Sequence, residues 1–186
     1  MGALLHFSEN SSIEVFVPHV APTSIEPEPF VWAVDEAHAP SYWFPRDCPR
    51  VCCWTDATEV GNDQIAMLGL GGARRMHAIE ACWLARVREC KLFEYRFDAT
   101  PFELKAGEAG YWVAREEVRP QSVMPVGDLL VRHVKAQIEF RIVANLWLLI
   151  DAVMRSSLEF SIIRKASNSV SFYRFQLSRL MCGADT

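Results

Sequence analysis

The sequence predicts an α+β fold, in which short mixed and antiparallel strands with flanking helices form a single domain. Short apolar runs recur along the chain and are separated by polar or proline-containing turns. Between residues 75 and 97 the pattern changes from strand to helix and back to strand, which is typical of a mixed α/β layer. The 186 residues, of which 51% are hydrophobic and 23% are charged, suffice for one domain with a substantial core.

The first elements follow from apolar runs and their breakers. Residues 4–7 form a short apolar strand, and residues 13–17 alternate weakly before a proline stops them. Four prolines within residues 18–29 predict an irregular loop. Residues 30–34 read as a buried strand, and the acid pair Asp35-Glu36 favours the start of a short helix, which Pro45 and Pro49 would end.

Hydrophobic spacing and capping residues predict the later elements. Asp128 and Asn145 stand where they would cap two helices. Strands are predicted over residues 50–54, 75–81, 91–97, 102–104, 111–114, 138–143 and 158–163, and helices or helical turns over residues 64–70, 83–90, 129–135 and 145–154. Residues 1–165 would form a catalytic-like or ligand-binding domain. The change in composition after Arg164 predicts a C-terminal appendage over residues 166–186, either helical near residues 171–180 or partly disordered.

Composition and charge argue against several classes of protein. A net charge of -4 does not favour extended binding to a nucleic acid backbone. The apolar run at residues 144–154 is far shorter than the roughly 20 residues that a bilayer span needs, and the first residues lack the basic region of a secretory signal. We therefore expect a cytoplasmic protein with no membrane partner. The six cysteines include no second ligand pair for zinc, so we expect reduced thiols and no metal.

Residues 30–50 concentrate the reactive side chains of the chain. Asp35 and His38 are spaced i, i+3, which on a helix places them on one face, as in a general base oriented by an acid. The same polar residues would also serve to cap and brace a strand, a short helix and a proline-locked turn. A metal site that adds Cys48 or His6, and a thiol pair of Cys48 with His38, remain alternatives without a supporting motif.

A glycine-rich stretch, Gly69-Leu70-Gly71-Gly72, invites comparison with phosphate-binding loops. It lacks the Gly-Lys-Ser/Thr of a P-loop and the spacing of a dinucleotide fingerprint. It is therefore predicted to be a flexible turn.

Several strings resemble a family of uncharacterised bacterial proteins that is known only as a domain of unknown function. The resemblance covers residues 4–164 and implies no established activity. Its strings are His6-Phe7-Ser8, Val31-Trp32-Ala33-Val34-Asp35-Glu36-Ala37-His38, Phe44-Pro45-Arg46-Asp47-Cys48-Pro49-Arg50, Ala109-Gly110-Tyr111-Trp112-Val113 and Phe160-Ser161-Ile162-Ile163-Arg164.

More distantly, the order of parts resembles the ADP-ribosyltransferase-like fold, which includes NAD-consuming transferases and RNA 2′-phosphotransferases. In that fold a first strand ends in a His or Arg that holds the nucleotide, a later strand and helix supply a Tyr, and a late strand supplies a catalytic Glu. His6 matches the first position, and Tyr42 matches the second in order. At the third, Tyr111 and Trp112 follow Gly110, and Glu116 and Glu117 come only after Arg115.

This resemblance implies an enzyme that acts on NAD, as a substrate, or on another nucleotide-derived molecule at a ribose centre. His6 and Ser8 would hold the ribose, and Phe7 between them would belong to the same cofactor-binding site. Trp32 and Tyr42 would stack on the base, and Arg46 or Arg50 would meet phosphate, a task that suits the planar guanidinium. The expected partner is a small-molecule nucleotide, with an acceptor that the sequence leaves open.

Two criteria select the carboxylate that would stabilise positive charge at the ribose: its place in the order of the chain and the number of polar residues near it in the sequence. Glu116 is slightly preferred to Asp35, with His38 as the acid-oriented base; Glu117 would point to the opposite face, and the charge of Asp47 would be absorbed by a neighbouring arginine. The alternative is a non-catalytic module that binds a nucleotide or a protein, because the late Glu is missing from its expected place.

Overall fold

The computed structural model describes residues 2–20, 27–57, 61–69, 71–106 and 110–163. Within these residues the fold is mixed α+β, with two sheets of short strands and four α-helices. The strands are β1 (Leu4–Ser8), β2 (Val31–Val34), β3 (Arg50–Trp54), β4 (Arg75–Glu80), β5 (Phe93–Phe97), β6 (Glu103–Ala106), β7 (Tyr111–Ala114), β8 (Ser122–Pro125), β9 (Glu139–Val143) and β10 (Glu159–Ile163). The helices are α1 (Asn62–Leu68), α2 (Leu84–Glu89), α3 (Leu129–Lys135) and α4 (Trp147–Met154), with 3₁₀ turns at Ala39–Tyr42 and Ala81–Trp83.

The two sheets have different topologies. The first sheet has the order β6-β7-β2-β1-β5-β8, and each pair of neighbouring strands is antiparallel. The second sheet has the order β10-β3-β4-β9, in which only β4 and β9 are parallel. The parallel pair requires the long crossover that contains α2, β5 to β8 and α3, so the two sheets are interleaved along the chain.

Strand alternation divides the first sheet into two faces. On one face, here called the outer face, Leu4 packs in a cluster with Phe16, Tyr95 and Phe97. On the opposite, inner face, Phe7 packs against a cluster that includes core residues of the second sheet. Because successive side chains of a strand point to opposite sides, the inner face is the one that meets the second sheet.

Most predicted elements are confirmed, and the exceptions have local causes. The strand β8 was missed because all four of its side chains are exposed, so it carries no buried alternation and pairs only at the edge with β5. Residues 13–17 make a single bridge, between Phe16 and Val118, instead of a strand. The helix expected after Asp35 is only the 3₁₀ turn Ala39–Tyr42, which has a proline in its first turn.

Asp128 caps α3 as predicted, whereas the N-cap of α4 is Leu146 and Asn145 lies one position before it. Asp128 Oδ1 accepts from the Val131 N–H at 2.9 Å, and Asn145 Oδ1 accepts from the Trp147 N–H at 2.7 Å. The predicted appendage at residues 166–186 lies outside the described residues, as does part of the loop predicted over residues 18–29. Within the described ranges, the helices are all too short or too polar to cross a bilayer.

Candidate active site between the two sheets

A cavity of about 210 Å³ lies where the inner face of the first sheet meets the edge strand β10 of the second. This volume corresponds to about seven water molecules, which suits one substituted ring and is too small for a whole dinucleotide. The lining residues are His38, Ser41, Tyr42, Trp54, Tyr111, Phe160, Ser161 and Ile162.

A larger depression of about 590 Å³ near Asp98 is more open. The Asp98 carboxylate already takes part in a turn, in which its Oδ1 accepts from the N–H and the hydroxyl of Thr100. The smaller cavity therefore holds the better candidate chemistry.

An Asp–His pair stands at the cavity wall. Asp35 follows β2, and its Oδ1 accepts from the backbone N–H of His38 at 2.9 Å and lies 2.7 Å from His38 Nδ1. A carboxylate can only accept, so the proton of a neutral His38 sits on Nδ1 and leaves Nε2 free to take a proton. The Asp35 side chain is 33% exposed and the His38 side chain is 16% exposed, so both are within reach of solvent. This arrangement is that of an oriented general base.

Gly110 packs directly on this pair. Its carbonyl accepts from the Asp35 N–H at 3.1 Å. A Cβ at this position would overlap His38 Nδ1 and would lie 2.5 Å from His38 Cγ and 2.7 Å from Asp35 Oδ2. The φ angle of +64° is also one that side-chain-bearing residues rarely adopt. Glycine is therefore required here by both backbone and space.

Aromatic rings form the walls of the cavity. The rings of Tyr42 and Tyr111 are 6.5 Å apart at 71°, and Tyr111 meets Trp32 edge-on at 5.9 Å. Phe7 lies parallel to Tyr42 at 6.5 Å on the inner face. Burial first, and then the neighbouring Tyr111, raise the pKa of Tyr42 well above its ordinary value, so Tyr42 stays a neutral phenol at physiological pH.

Arg50 supports the turn that carries Tyr42. Its Nε donates to the Ser41 carbonyl at 2.8 Å and its Nη1 to the Cys48 carbonyl at 3.0 Å. The guanidinium carbon lies 5.0 Å from the Phe44 ring centre, and burial lowers the pKa of this side chain. Arg50 is 4% exposed and is not among the residues that line the cavity. These two bonds to carbonyl oxygens give Arg50 a bracing role in the turn.

His6 and Ser8 do not join Tyr42 in one cleft. Both point to the outer face, where the His6 ring meets Phe16 edge-on at 4.9 Å and His6 Nδ1 lies 2.9 Å from the Trp32 carbonyl oxygen. Burial lowers the pKa of His6. Tyr42 lies against the opposite side of the same sheet. The alternation of β1 therefore separates residues that chain order had placed together.

The remaining predicted residues are spread over the surface. Arg46 is exposed, and its backbone N–H donates to Glu9 Oε1 at 3.0 Å. Glu116 and Glu117 are exposed and come after the C-terminal end of β7. Tyr111 begins this strand, so the length of the strand separates it from that end by about 10 Å. Of the carboxylates considered from the sequence, Asp35 is the one that contacts a cavity-lining residue, His38, although Asp35 itself does not line the cavity.

Two sequence-based alternatives find no support in the geometry. Burial raises the pKa of the Cys48 thiol to about 12, and its Sγ lies 3.5 Å from the Pro49 carbonyl oxygen, so no thiolate is available to pair with His38. Across the described part of the chain, no three His, Cys, Asp or Glu side chains come together as a metal site would require.

Sequence reasoning missed the contribution of the second sheet to the site. Trp54 and Ser161 line the cavity because β3 and β10 pair with Cys52 opposite Ser161. That pairing joins residues more than 100 positions apart in the chain, and no local sequence motif predicts it. Ser41 had a local signal only in its position beside Tyr42.

Comparison with known proteins identifies a family. No curated protein and no solved structure matched the chain. A profile described as a family of unknown function, DUF6886, matches residues 5–168, which include every residue that lines the cavity. The chain therefore belongs to the family of unknown function DUF6886.

Proposed function

We propose that this protein is an enzyme that breaks or transfers a bond at the ribose of NAD or another nucleotide-derived substrate, as ADP-ribosyltransferase-like enzymes do. The observation that carries the proposal is the Asp35-oriented His38 in the wall of a cavity with aromatic sides. The cavity holds the ring that leaves, and the rest of the substrate extends into solvent at its mouth. Tyr42, Tyr111 and Trp54 offer ring faces and edges for this contact.

The reaction needs a proton acceptor beside the ribose. The bond between ribose C1′ and the ring nitrogen breaks, and its electron pair leaves with the ring. The oxygen of an acceptor or of water bonds to C1′, and His38 Nε2 takes the proton from that oxygen. Asp35 holds the imidazole in the required tautomer and stabilises the imidazolium that forms. His38 later returns the proton to solvent.

Incubation with NAD, followed by measurement of released nicotinamide, tests this function. We expect release by the unaltered protein and a loss of about 100-fold or more in turnover for His38→Gln, which removes the base. Asp35→Asn keeps the acceptor for the His38 N–H but removes the charge, so turnover should fall while affinity for NAD changes little.

Two matched variants control for effects on folding. Asp98→Asn alters a carboxylate that accepts similar bonds in a turn away from the cavity, and His19→Gln alters an exposed histidine. Both should keep full turnover. Release of no nicotinamide, or full turnover by His38→Gln, contradicts the proposed reaction.

A second candidate is a binding module without catalysis. The observation in its favour is that the residues lining the cavity include no carboxylate, since Asp35 faces His38 and Glu116 is distant. Under this alternative Asp35 only caps the turn through the His38 N–H. NAD or a nucleotide would then bind saturably with no release of nicotinamide, and His38→Gln would affect affinity alone.

A further inference from the structure

The indole of Trp54, which lines the cavity, meets the imidazole of His38 at a steep angle. The two ring centres are 5.6 Å apart and the ring planes cross at 74°. Ring pairs of this geometry attract each other, so each restricts the tilt of the other. Asp35 holds the imidazole at one ring atom, Nδ1. A hydrogen bond at that atom alone leaves the ring able to tilt, so the direction of His38 Nε2 also depends on the place of the Trp54 ring.

Two charged side chains flank Trp54 in a row across the second sheet. The strand registers set Glu159 of β10 and Arg75 of β4 directly opposite Trp54 of β3. Side chains of directly opposite residues lie on the same face of a sheet. Trp54 belongs to the core cluster that Phe7 of the first sheet also contacts, so the row faces the first sheet and His38.

Each neighbour in the row holds a different part of the indole. Glu159 Oε2 accepts from Trp54 Nε1 at 2.9 Å, and the guanidinium carbon of Arg75 lies over the Trp54 ring, 4.7 Å from its centre. A hydrogen bond to a carboxylate is stronger than one between neutral groups, and the electrons of an indole face attract a guanidinium. The hydrogen bond fixes which edge of the indole turns toward β10, and Arg75 covers one of its faces.

Burial makes the bond to Glu159 decisive for the orientation of the indole. Trp54 is 3% exposed, and a buried indole N–H without an acceptor is costly because it has also lost its hydrogen bond to water. Without the Glu159 carboxylate the indole must leave its N–H unpaired or turn toward another acceptor, and turning changes the surface that it presents to His38. Glu159 itself is exposed and does not line the cavity, so its effect on His38 passes through Trp54.

We propose that Glu159 is a positioning residue that sets the orientation of His38 through the Trp54 indole. The inference rests on the proposed function, in which His38 is the base, and deepens it by adding a second support to the one that Asp35 provides. Asp35 fixes the tautomer and one end of the imidazole, and the row of Glu159, Trp54 and Arg75 fixes its tilt. The bond from Trp54 to Glu159 joins residues 105 positions apart, so both sheets orient the base.

Turnover of NAD by variants at Glu159 tests this role in the full chain. Glu159→Ala removes the acceptor, and turnover should fall about 10-fold with little change in KM, because a displacement of a catalytic group by about 1 Å can lower turnover about 100-fold. Glu159→Gln keeps an amide oxygen that can accept from the Trp54 N–H, and it should restore most of the turnover. Trp54→Phe has already lost the N–H, so adding Glu159→Ala to it should lower turnover by less than about 2-fold more.

Glu103→Ala is the matched control. Glu103 is also a glutamate on a strand at the end of its sheet, it accepts from Arg115 Nε at 3.1 Å, and it does not line the cavity. This variant should keep full turnover. If Glu159 has a merely structural role, Glu159→Ala should lower the melting temperature by about 2–4 °C, as expected for one lost hydrogen bond, and leave turnover unchanged. That result, or an equal loss of turnover in Glu103→Ala, overturns the proposal.

Proton NMR reads the orientation of His38 without any substrate. The Trp54 Nε1–H signal, assigned by its absence in Trp54→Phe, should lie downfield because of the bond to the Glu159 carboxylate. In Glu159→Ala this signal should move upfield, and the His38 Nδ1–H signal should move or broaden with it, whereas both should stay in place in Glu103→Ala. A His38 signal that does not change in Glu159→Ala overturns the proposal.

The NMR measurement also separates the positioning role from the proposed reaction. A changed His38 signal in Glu159→Ala, in a protein that releases no nicotinamide from NAD, supports the positioning role and rejects the reaction. Release of nicotinamide that is as fast in Glu159→Ala as in the unaltered protein supports the reaction and rejects the positioning role.

Discussion

Gly110→Ala should disrupt the Asp35–His38 pair while leaving both residues in the chain. The added methyl carbon would overlap His38 Nδ1 and approach Asp35 Oδ2 to 2.7 Å, so the imidazole must move. Alanine at a φ of +64° costs about 1 kcal/mol, and overpacking of this kind costs about 1–3 kcal/mol more. The free energy of unfolding should therefore fall by about 2–4 kcal/mol.

The chain offers a matched control in Gly127→Ala. Gly127 has a φ of +81°, and nothing lies within 4 Å of the position of its Cβ, so this variant has the backbone strain without the overlap. It should lose only about 1 kcal/mol. For a protein of this size, the melting temperature should drop by about 3 °C in Gly127→Ala and by about 6–12 °C in Gly110→Ala.

Two assays separate strain from damage to the pair. Thermal unfolding measures the loss of stability in each variant. Proton NMR follows the His38 Nδ1–H, whose signal should be shifted downfield by the bond to Asp35. This signal should be lost or moved in Gly110→Ala only. Misplacement of a catalytic group by about 1 Å can lower turnover about 100-fold. Equal melting temperatures for the two variants, together with an unchanged His38 signal in both, would refute the reasoning.

Three further predictions concern pH, the buried arginine and the thiols. Burial lowers the folded-state pKa of His133 to about 4, so the unfolded state binds more protons than the folded state between pH 6.5 and 4. The free energy of unfolding should therefore fall by up to about 3 kcal/mol as the pH drops through this range. Urea titrations should show this dependence on pH in the unaltered protein and a weaker dependence in His133→Gln. Arg50→Met leaves the Ser41 and Cys48 carbonyls without their donor and should destabilise the fold by about 2–4 kcal/mol in the same assay, and a loss below about 0.5 kcal/mol would refute the bracing role. Maleimide mapping at pH 7.5 should label the exposed Cys82 quickly and the buried Cys52, whose pKa burial raises to about 11, only after denaturation; rapid native labelling of Cys52 would contradict this.

The sequence predicted most of the secondary structure because the buried strands carry their own pattern. The runs that became β3, β5 and β9 read as strands from apolar content and alternation, and Asp128 marked the start of α3. The strand β8 was not predicted, because its side chains are all exposed and show no alternation of apolar and polar residues. Its existence depends on pairing with β5. Local propensity therefore identified elements with a buried face and failed for one stabilised only by its neighbour.

By itself the sequence determined the α+β class, the family, and the local Asp35 and His38 pair, since these depend on residue type and on spacing within a few positions. The tertiary structure alone decided which candidates meet. It turned His6 to the outer face, left Glu116 at the far end of β7, and brought Trp54 and Ser161 to the cavity. The physical reason is that strand register and face are set by long-range pairing and by burial of whole sheet faces, and a shift of one residue would exchange every side chain between the two sides.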